Sequence, residues 1–230
     1  VFFMFSGTTL TPMSGRILGA HQKFDRMARR QLSHLLGERD HVFPPIREIL
    51  RFEGKNGPDG IKRKSPAQNE PWHYVNPFDM TDDKLSKIIA DHHRELARAI
   101  KDNNQTKAAF EAAWLAHAIV DGLTPAHHYP YEKELVKLRG GKGIEGRNTI
   151  MRKVIMPGST PGKQLSNNWK MWGPKGLLST HGFFEFGVAS LILPMSFKRS
   201  LPDETHVEEM NEHGVVAFFQ RRAREIAALG

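Results

Sequence analysis

Ala116-His117-Ala118-Ile119-Val120-Asp121-Gly122-Leu123-Thr124-Pro125-Ala126-His127 is the stretch on which the reading of this sequence turns. It closes an Ala-rich run that begins near Gln105. Ala109, Ala112, Ala113, Ala116 and Val120 recur there at helical intervals and form a narrow face that permits close helix packing. Gly122 and Pro125 stop the helix. His117 and Asp121 are four apart, so their Cβ atoms lie about 5–6 Å from each other on one face. At that reach two side chains can grip one ion or two adjacent ions. Set among Ala and Ile, an imidazole and a carboxylate need partners. The turn at Pro125 lets His127 fold back toward the same point.

Outward from this helix the pattern stays helical. Asp82–Lys101 reads as a helix, with Thr81 as N-cap and Asp82-Asp83 suiting the positive end of the helix dipole. Ile17–Leu36 carries Ile17, Phe24, Met27, Ala28 and Leu32 at helical spacing. Leu177–Leu193 and Asp203–Leu229 complete the set, the last with an acidic first half and a basic end, as the dipole prefers. From Gly37 to Pro77 repeated Pro and Gly leave room only for short elements such as Ile46–Phe52, and Trp72 and Tyr74 favour an ordered, packed loop. Residues 129–176 hold ten Lys/Arg against three Glu, a net +7, and their glycines indicate loops and turns. No run of alternating strands is present. The expectation is an all-α protein, a single helical domain over 1–230 with about five to seven helices and a basic, Gly-rich insertion at 129–176.

Composition narrows the function classes. The 230 residues are 39% hydrophobic and 25% charged, which suits a globular protein and argues against wholesale disorder. The absence of Cys removes disulfides, thiolate nucleophiles and Cys-based zinc sites. No run approaches the roughly 18 apolar residues of a membrane helix. Val1-Phe2-Phe3-Met4-Phe5 is too short for a signal-peptide core and has no basic leader, so a cytoplasmic location is the expectation, with secretion left open. The formal charge of +8 makes anionic partners plausible.

A second pair repeats the geometry of the first. His181 and Glu185 are again four apart, in Thr180-His181-Gly182-Phe183-Phe184-Glu185-Phe186, inside an apolar helical run. A helical ion pair or a hydrogen-bonded core histidine explains either pair alone. Both pairs together with His127 favour a metal, and His with Asp or Glu suits zinc, with carboxylates able to bridge two ions. His92 and His93 sit on a charged helix, where at least one is expected to be exposed. His206 and His213 lie on the polar half of the last helix, and His34 and His41 flank the start of the loop.

The pattern His117-x-x-x-Asp121-x-x-x-Pro125-x-His127, followed by His181-x-x-x-Glu185, resembles the zinc-dependent phospholipase C and single-strand-specific nuclease superfamily, across residues 19–185. Those proteins are all-helical and hold three zinc ions in a cleft. The resemblance points upstream to an Asp about fourteen residues before a His. Asp59 in Gly57-Pro58-Asp59-Gly60 and His73 in Pro71-Trp72-His73-Tyr74 fit, with Asp40 competing for the Asp59 role and His128 for that of His127. It also implies a His on the first helix, which His21 supplies. By this resemblance Asp59, His73, His117 and Asp121 hold one zinc, and His127, His181 and Glu185 a second. Asp121 bridges to a third that His21 also binds. The implied cofactor is therefore two to three zinc ions.

Two departures stand out. The family completes its third zinc with an N-terminal Trp, whereas position 1 here is Val and the first Trp is Trp72. The gap from His127 to His181 is 54 residues, far longer than is typical of the family, and holds the basic insertion.

The chemistry expected of such a site is phosphodiester hydrolysis. Zinc lowers the pKa of bound water to about 7, paired ions hold nucleophile and phosphoryl oxygen together, and the resemblance implies that Asp59 accepts the water's proton. The substrate is a phosphate ester, either a phospholipid headgroup or single-stranded nucleic acid. The basic insertion suits nucleic acid or an anionic membrane surface, and Trp72, Tyr74, Trp169 and Trp172 are candidates for stacking on bases. The alternative is a non-catalytic, zinc-stabilised helical protein that binds nucleic acid or an anionic membrane.

Overall fold

The computed structural model describes residues 19–62, 66–197 and 203–229. Among these there is no strand, and the fold is all-α. The helices are α1 (Ala20–Leu36), α2 (Ile46–Ile49), α3 (Pro58–Lys62), α4 (Lys84–Lys101), α5 (Gln105–Gly122), α6 (Tyr131–Leu138), α7 (Ile150–Val154), α8 (Pro161–Trp172), α9 (Leu177–Ile192) and α10 (Glu204–Ala227). The expected start of the first helix at Ile17 and the N-terminal apolar stretch lie outside the described residues.

The centre of the fold is the pair α4–α5. A three-residue link joins them and Asn103 turns it with a φ of 52°, a conformation that Asn tolerates better than most residues. The Asn104 side chain then accepts from Lys107 N and caps α5. Such a short link makes the two helices antiparallel neighbours. Ala99, Ala108, Ala109 and Ala113 are buried, so small side chains bring the two backbones close. The N-cap of α4 is Asp83, not Thr81. Thr81 is held in the preceding turn by Asp79, whose Oδ1 accepts from both Thr81 N and Thr81 Oγ1.

Three apolar clusters hold the helices together. Leu85, Ile89, Ala118, Phe219 and Ala223 join α4, α5 and α10 with Val75. Ile49, Ala109, Ala112 and Ala113 seat α2 on α5. Tyr131, Leu135, Met156 and Met171 join α6 to α8. Gly122 is where the last turn of α5 meets α10. A Cβ there would strike the Phe219 ring and come within 2.8 Å of Leu85 Cδ2. The long loop after α1 is fastened by buried Arg29, whose Nε donates to Pro44 O at 2.7 Å and whose Nη1 donates to Asp40 Oδ1 at 2.6 Å. Asp40 is spent on that ion pair.

Two elements differ from the sequence expectation. Residues 129–176 are not mainly loops, because they contain α6, α7 and α8. Thr149 caps α7 by accepting from Arg152 N, and Thr160 caps α8 by accepting from Lys163 N, with Pro161 at the first helical position. The last helix is not continuous. Gly214 has φ 82° and ψ 160°, and Arg222 Nη2 reaches Glu209 Oε2 at 3.1 Å. Thirteen residues of straight helix would separate those groups by about 20 Å, so the chain reverses at Gly214. The acidic first half and basic second half, expected to serve one dipole, pair with each other across that turn.

Candidate metal centre

The eight side chains named from the sequence converge on one buried neighbourhood from six separate segments. The first turn of α1 supplies His21, and α3 supplies Asp59. The extended stretch before α4 supplies His73. The last two turns of α5 supply His117 and Asp121. The 3-10 turn Pro125–His128 supplies His127, and α9 supplies His181 and Glu185.

Local hydrogen bonds set these positions. Val75 N donates to His127 O at 3.1 Å and His127 Nδ1 donates to His73 O at 2.8 Å, so the two loops lock each other. That bond also fixes the His127 tautomer and leaves Nε2 facing inward. His21 and His117 stack with centroids 3.9 Å apart and planes within 6°. Tyr74 lies between the rings of His127 and Tyr131, with centroids 5.3 and 5.1 Å away.

Asp121 is the hub. Its Oδ2 lies 2.5 Å from His73 Nδ1 and 3.3 Å from His117 Nε2. Its Oδ1 lies 3.3 Å from His21 Nε2 and 3.6 Å from His127 Nε2. On the α9 side, Glu185 Oε1 sits 3.1 Å from His127 Nε2 and 2.9 Å from His181 Nε2. His117 Nε2 also faces Asp59 Oδ2 at 3.9 Å. The side chains of His73, His117 and His127 are only 2% exposed, while Glu185 at 15% is the most open of the eight.

Within this neighbourhood three groups of ligand atoms are close enough to hold a metal ion: His21, His117 and Asp121; Asp59, His73 and His117; and His127, His181 and Glu185. The donors are imidazole nitrogens and carboxylate oxygens, a set that suits zinc and other divalent transition metals. His73 Nε2 and His21 Nδ1 are buried with no hydrogen-bond partner. Buried polar atoms are nearly always satisfied, and a cation among these groups would satisfy them. His128, the competitor of His127, turns away and bonds Gly122 O at 2.9 Å.

The electrostatics are those of a site that balances negative charge with protons. Burial pushes the Asp121 carboxyl up, but His127 and His117 beside it hold it well below the usual carboxylate range. Burial opposes a charge on His117, yet Asp121, Glu53 and Asp59 raise it well above an ordinary histidine. His73 is driven the other way, to about 3, by burial and by the Lys62 ammonium. Burial would raise Glu185 too, but its bonds to His127 and His181 carry it far below the usual range.

Three charged neighbours were not singled out from the sequence. Glu53 is buried and its Oε2 lies 3.4 Å from His117 Nδ1, the carboxylate–histidine arrangement that orients metal-binding imidazoles. Asp25 is also buried. Its carboxyl is raised well above the normal range, first by burial and then by Glu53. Lys62 Nζ stands 3.5 Å from Asp59 Oδ1. Asp25 had a signal, since it follows His21 by four, and Lys62 follows Asp59 by three. Glu53 had none, because it arrives from a loop.

The other aromatic and histidine expectations sort by exposure. Trp169 is on the surface, whereas Trp172 donates to Val154 O at 2.8 Å and Trp72 and Tyr74 are packed, so only Trp169 is free to stack on a base. His93, His34, His41, His206 and His213 are exposed, and His92 Nδ1 bonds Glu111 Oε2 at 2.6 Å between α4 and α5. Comparison of the chain with protein-family models, with curated proteins and with solved structures finds no match.

Proposed function

We propose that this chain is a metal-dependent phosphoesterase, with zinc as the cation and a phosphodiester as the substrate. The observation that carries the reading is Asp121, a fully enclosed carboxylate with two imidazoles on each oxygen. A carboxylate so placed is suited to bridge two ions, which a single structural site does not need. Asp59, His73 and His117 would hold one ion and His127, His181 and Glu185 another, with Asp121 shared between the first and a third that His21 would help to hold.

Bound divalent cations supply Lewis acidity, making water more acidic and polarising a phosphoryl oxygen. The chain's own groups supply the rest. Asp59 is the candidate general base. Burial raises its carboxyl, but Lys62, His117 and His73 hold it below the ordinary range, so it stands deprotonated near neutral pH. Lys62, partly open at 15%, offers an ammonium to an incoming phosphate oxygen. Glu53 and the His73 carbonyl hold the rings of His117 and His127 in place. Burial of the site excludes bulk water and strengthens each of these interactions.

The test is metal content measured together with turnover of a soluble phosphodiester such as bis(p-nitrophenyl) phosphate. The proposal expects more than one zinc per chain and zinc-dependent hydrolysis, both lost in His117→Ala. A single tightly held zinc with no turnover would instead identify a metal-stabilised binding protein.

A further inference from the structure

The outer faces of α8 and α9 have no use in the chemistry above, and their composition is unusual. On α8, Leu165 and Trp169 are four apart, share a face, and are 73% and 67% exposed. The opposite face buries Asn167 and Met171. On α9, His181, Glu185 and Ala189 line the inner face at i, i+4 and i+8. Phe183, Phe184 and Leu191 lie on the other side, 63%, 41% and 67% exposed. The two helices are consecutive and packed together.

The charges beside these side chains have one sign. Lys163, Lys170 and Lys175 are exposed on α8 and on the link to α9. Between Glu145 and Asp203 the sequence contains a single carboxylate, Glu185, and that one is turned inward to His127 and His181. The outer faces of these two helices are therefore apolar and cationic, with no outward carboxylate of their own.

From this juxtaposition we propose that the outer faces of α8 and α9 form a docking surface for an anionic lipid bilayer, which carries phospholipid headgroups to the metal centre. Lys ammonium groups pair with lipid phosphates, Trp sits at headgroup level, and Leu and Phe enter the acyl boundary. Aliphatic Leu165 and Leu191 cannot stack on bases, so nucleic acid uses this face less well. Docking through α9 places the headgroup layer within about one helix diameter, roughly 10 Å, of Glu185, the most open of the metal-site side chains. The docking itself stands on the exposed surface; delivery of headgroups as substrate rests on the phosphoesterase reading.

The experiment is co-sedimentation of the intact chain with vesicles of phosphatidylcholine alone and of phosphatidylcholine mixed with phosphatidylserine, at low and high NaCl. It is run on the wild type, on Leu165→Ser/Trp169→Ser and on Lys163→Glu/Lys170→Glu. Turnover of bis(p-nitrophenyl) phosphate is measured in parallel. The expected result is binding that prefers the anionic vesicles, weakens with salt, and falls by about tenfold or more in each double variant, with soluble turnover unchanged. Failure of the wild type to bind anionic vesicles, or equal binding by both variants, overturns the proposal. So does a dimer that Leu165→Ser/Trp169→Ser disperses, or oligonucleotide binding lost in the variants without any vesicle binding. Vesicle binding without turnover of the soluble substrate upholds the docking surface and sinks the phosphoesterase reading alone.

Discussion

At the scale of single residues, Asp121 meets an imidazole from each of the three ligand groups, and Glu53 stands behind one of these rings, His117. Asp121→Asn keeps the shape and removes the charge, so it should cost at least one bound metal and abolish turnover. Metal analysis of the purified variant checks this. Removing Glu53 leaves the His117 ring without its buried partner. Glu53→Ala is expected to weaken zinc binding by about 10–100-fold, and Glu53→Gln, which still accepts a hydrogen bond, by less. Competition against a zinc-chelating dye reads both, and unchanged affinity in Glu53→Ala would show that the carboxylate is incidental. The His117/Asp121 and His181/Glu185 pairs were legible in the sequence because i, i+4 spacing on an apolar helix fixes both members on one face. Asp59, His73 and His21 could be found only through the family resemblance, since no local rule ties a loop residue to a helix far along the chain. Glu53 stayed hidden for the same reason.

The elements that carry these residues make their own predictions. Gly122 lies where α5 meets Phe219 and Leu85. Gly122→Ala should destabilise by about 1–3 kcal/mol through overpacking, measured as a lower urea midpoint at unchanged slope. An unchanged midpoint would mean that α10 can move aside. Asp40 holds the loop after α1 to Arg29, whose hydrogen bond lowers the Asp40 carboxyl below its ordinary value. A depressed folded pKa adds stability above the unfolded value near 3.9 and loses it as pH falls through the folded value. Asp40→Asn should therefore be less stable than the wild type near neutrality, with the difference closing below about pH 4. Thermal melts across pH read this, and a difference that persists in acid would assign the effect to packing. The long helices were legible because their apolar periodicity runs over several turns. Helices α6, α7 and α8 were masked by glycines that lie in the connections, such as Gly173 and Gly176, while the Thr149 and Thr160-Pro161 caps were signals present in the sequence. The reversal at Gly214 could not be read, since one glycine in a polar helical run equally permits an unbroken helix.

For the whole molecule, the candidate ligands join segments from residue 21 to residue 185, so a bound ion would act as a staple across the fold. Ligands that bind only the folded chain stabilise it by mass action. Chelation should therefore lower the melting temperature, and added zinc should restore it fully in the wild type and only in part in Asp121→Asn. The described residues contain no helix long and apolar enough to cross a membrane, and the α8–α9 face concerns docking at a surface only. The measurement that bears most directly on the central claim is zinc stoichiometry after reconstitution and exhaustive dialysis, with X-ray absorption at the zinc edge to identify the ligating atoms. About two to three ions per chain are expected, bound by nitrogen and oxygen alone, with fewer in Asp121→Asn. A chain that retains no stoichiometric metal, or retains the same amount after that substitution, would contradict it.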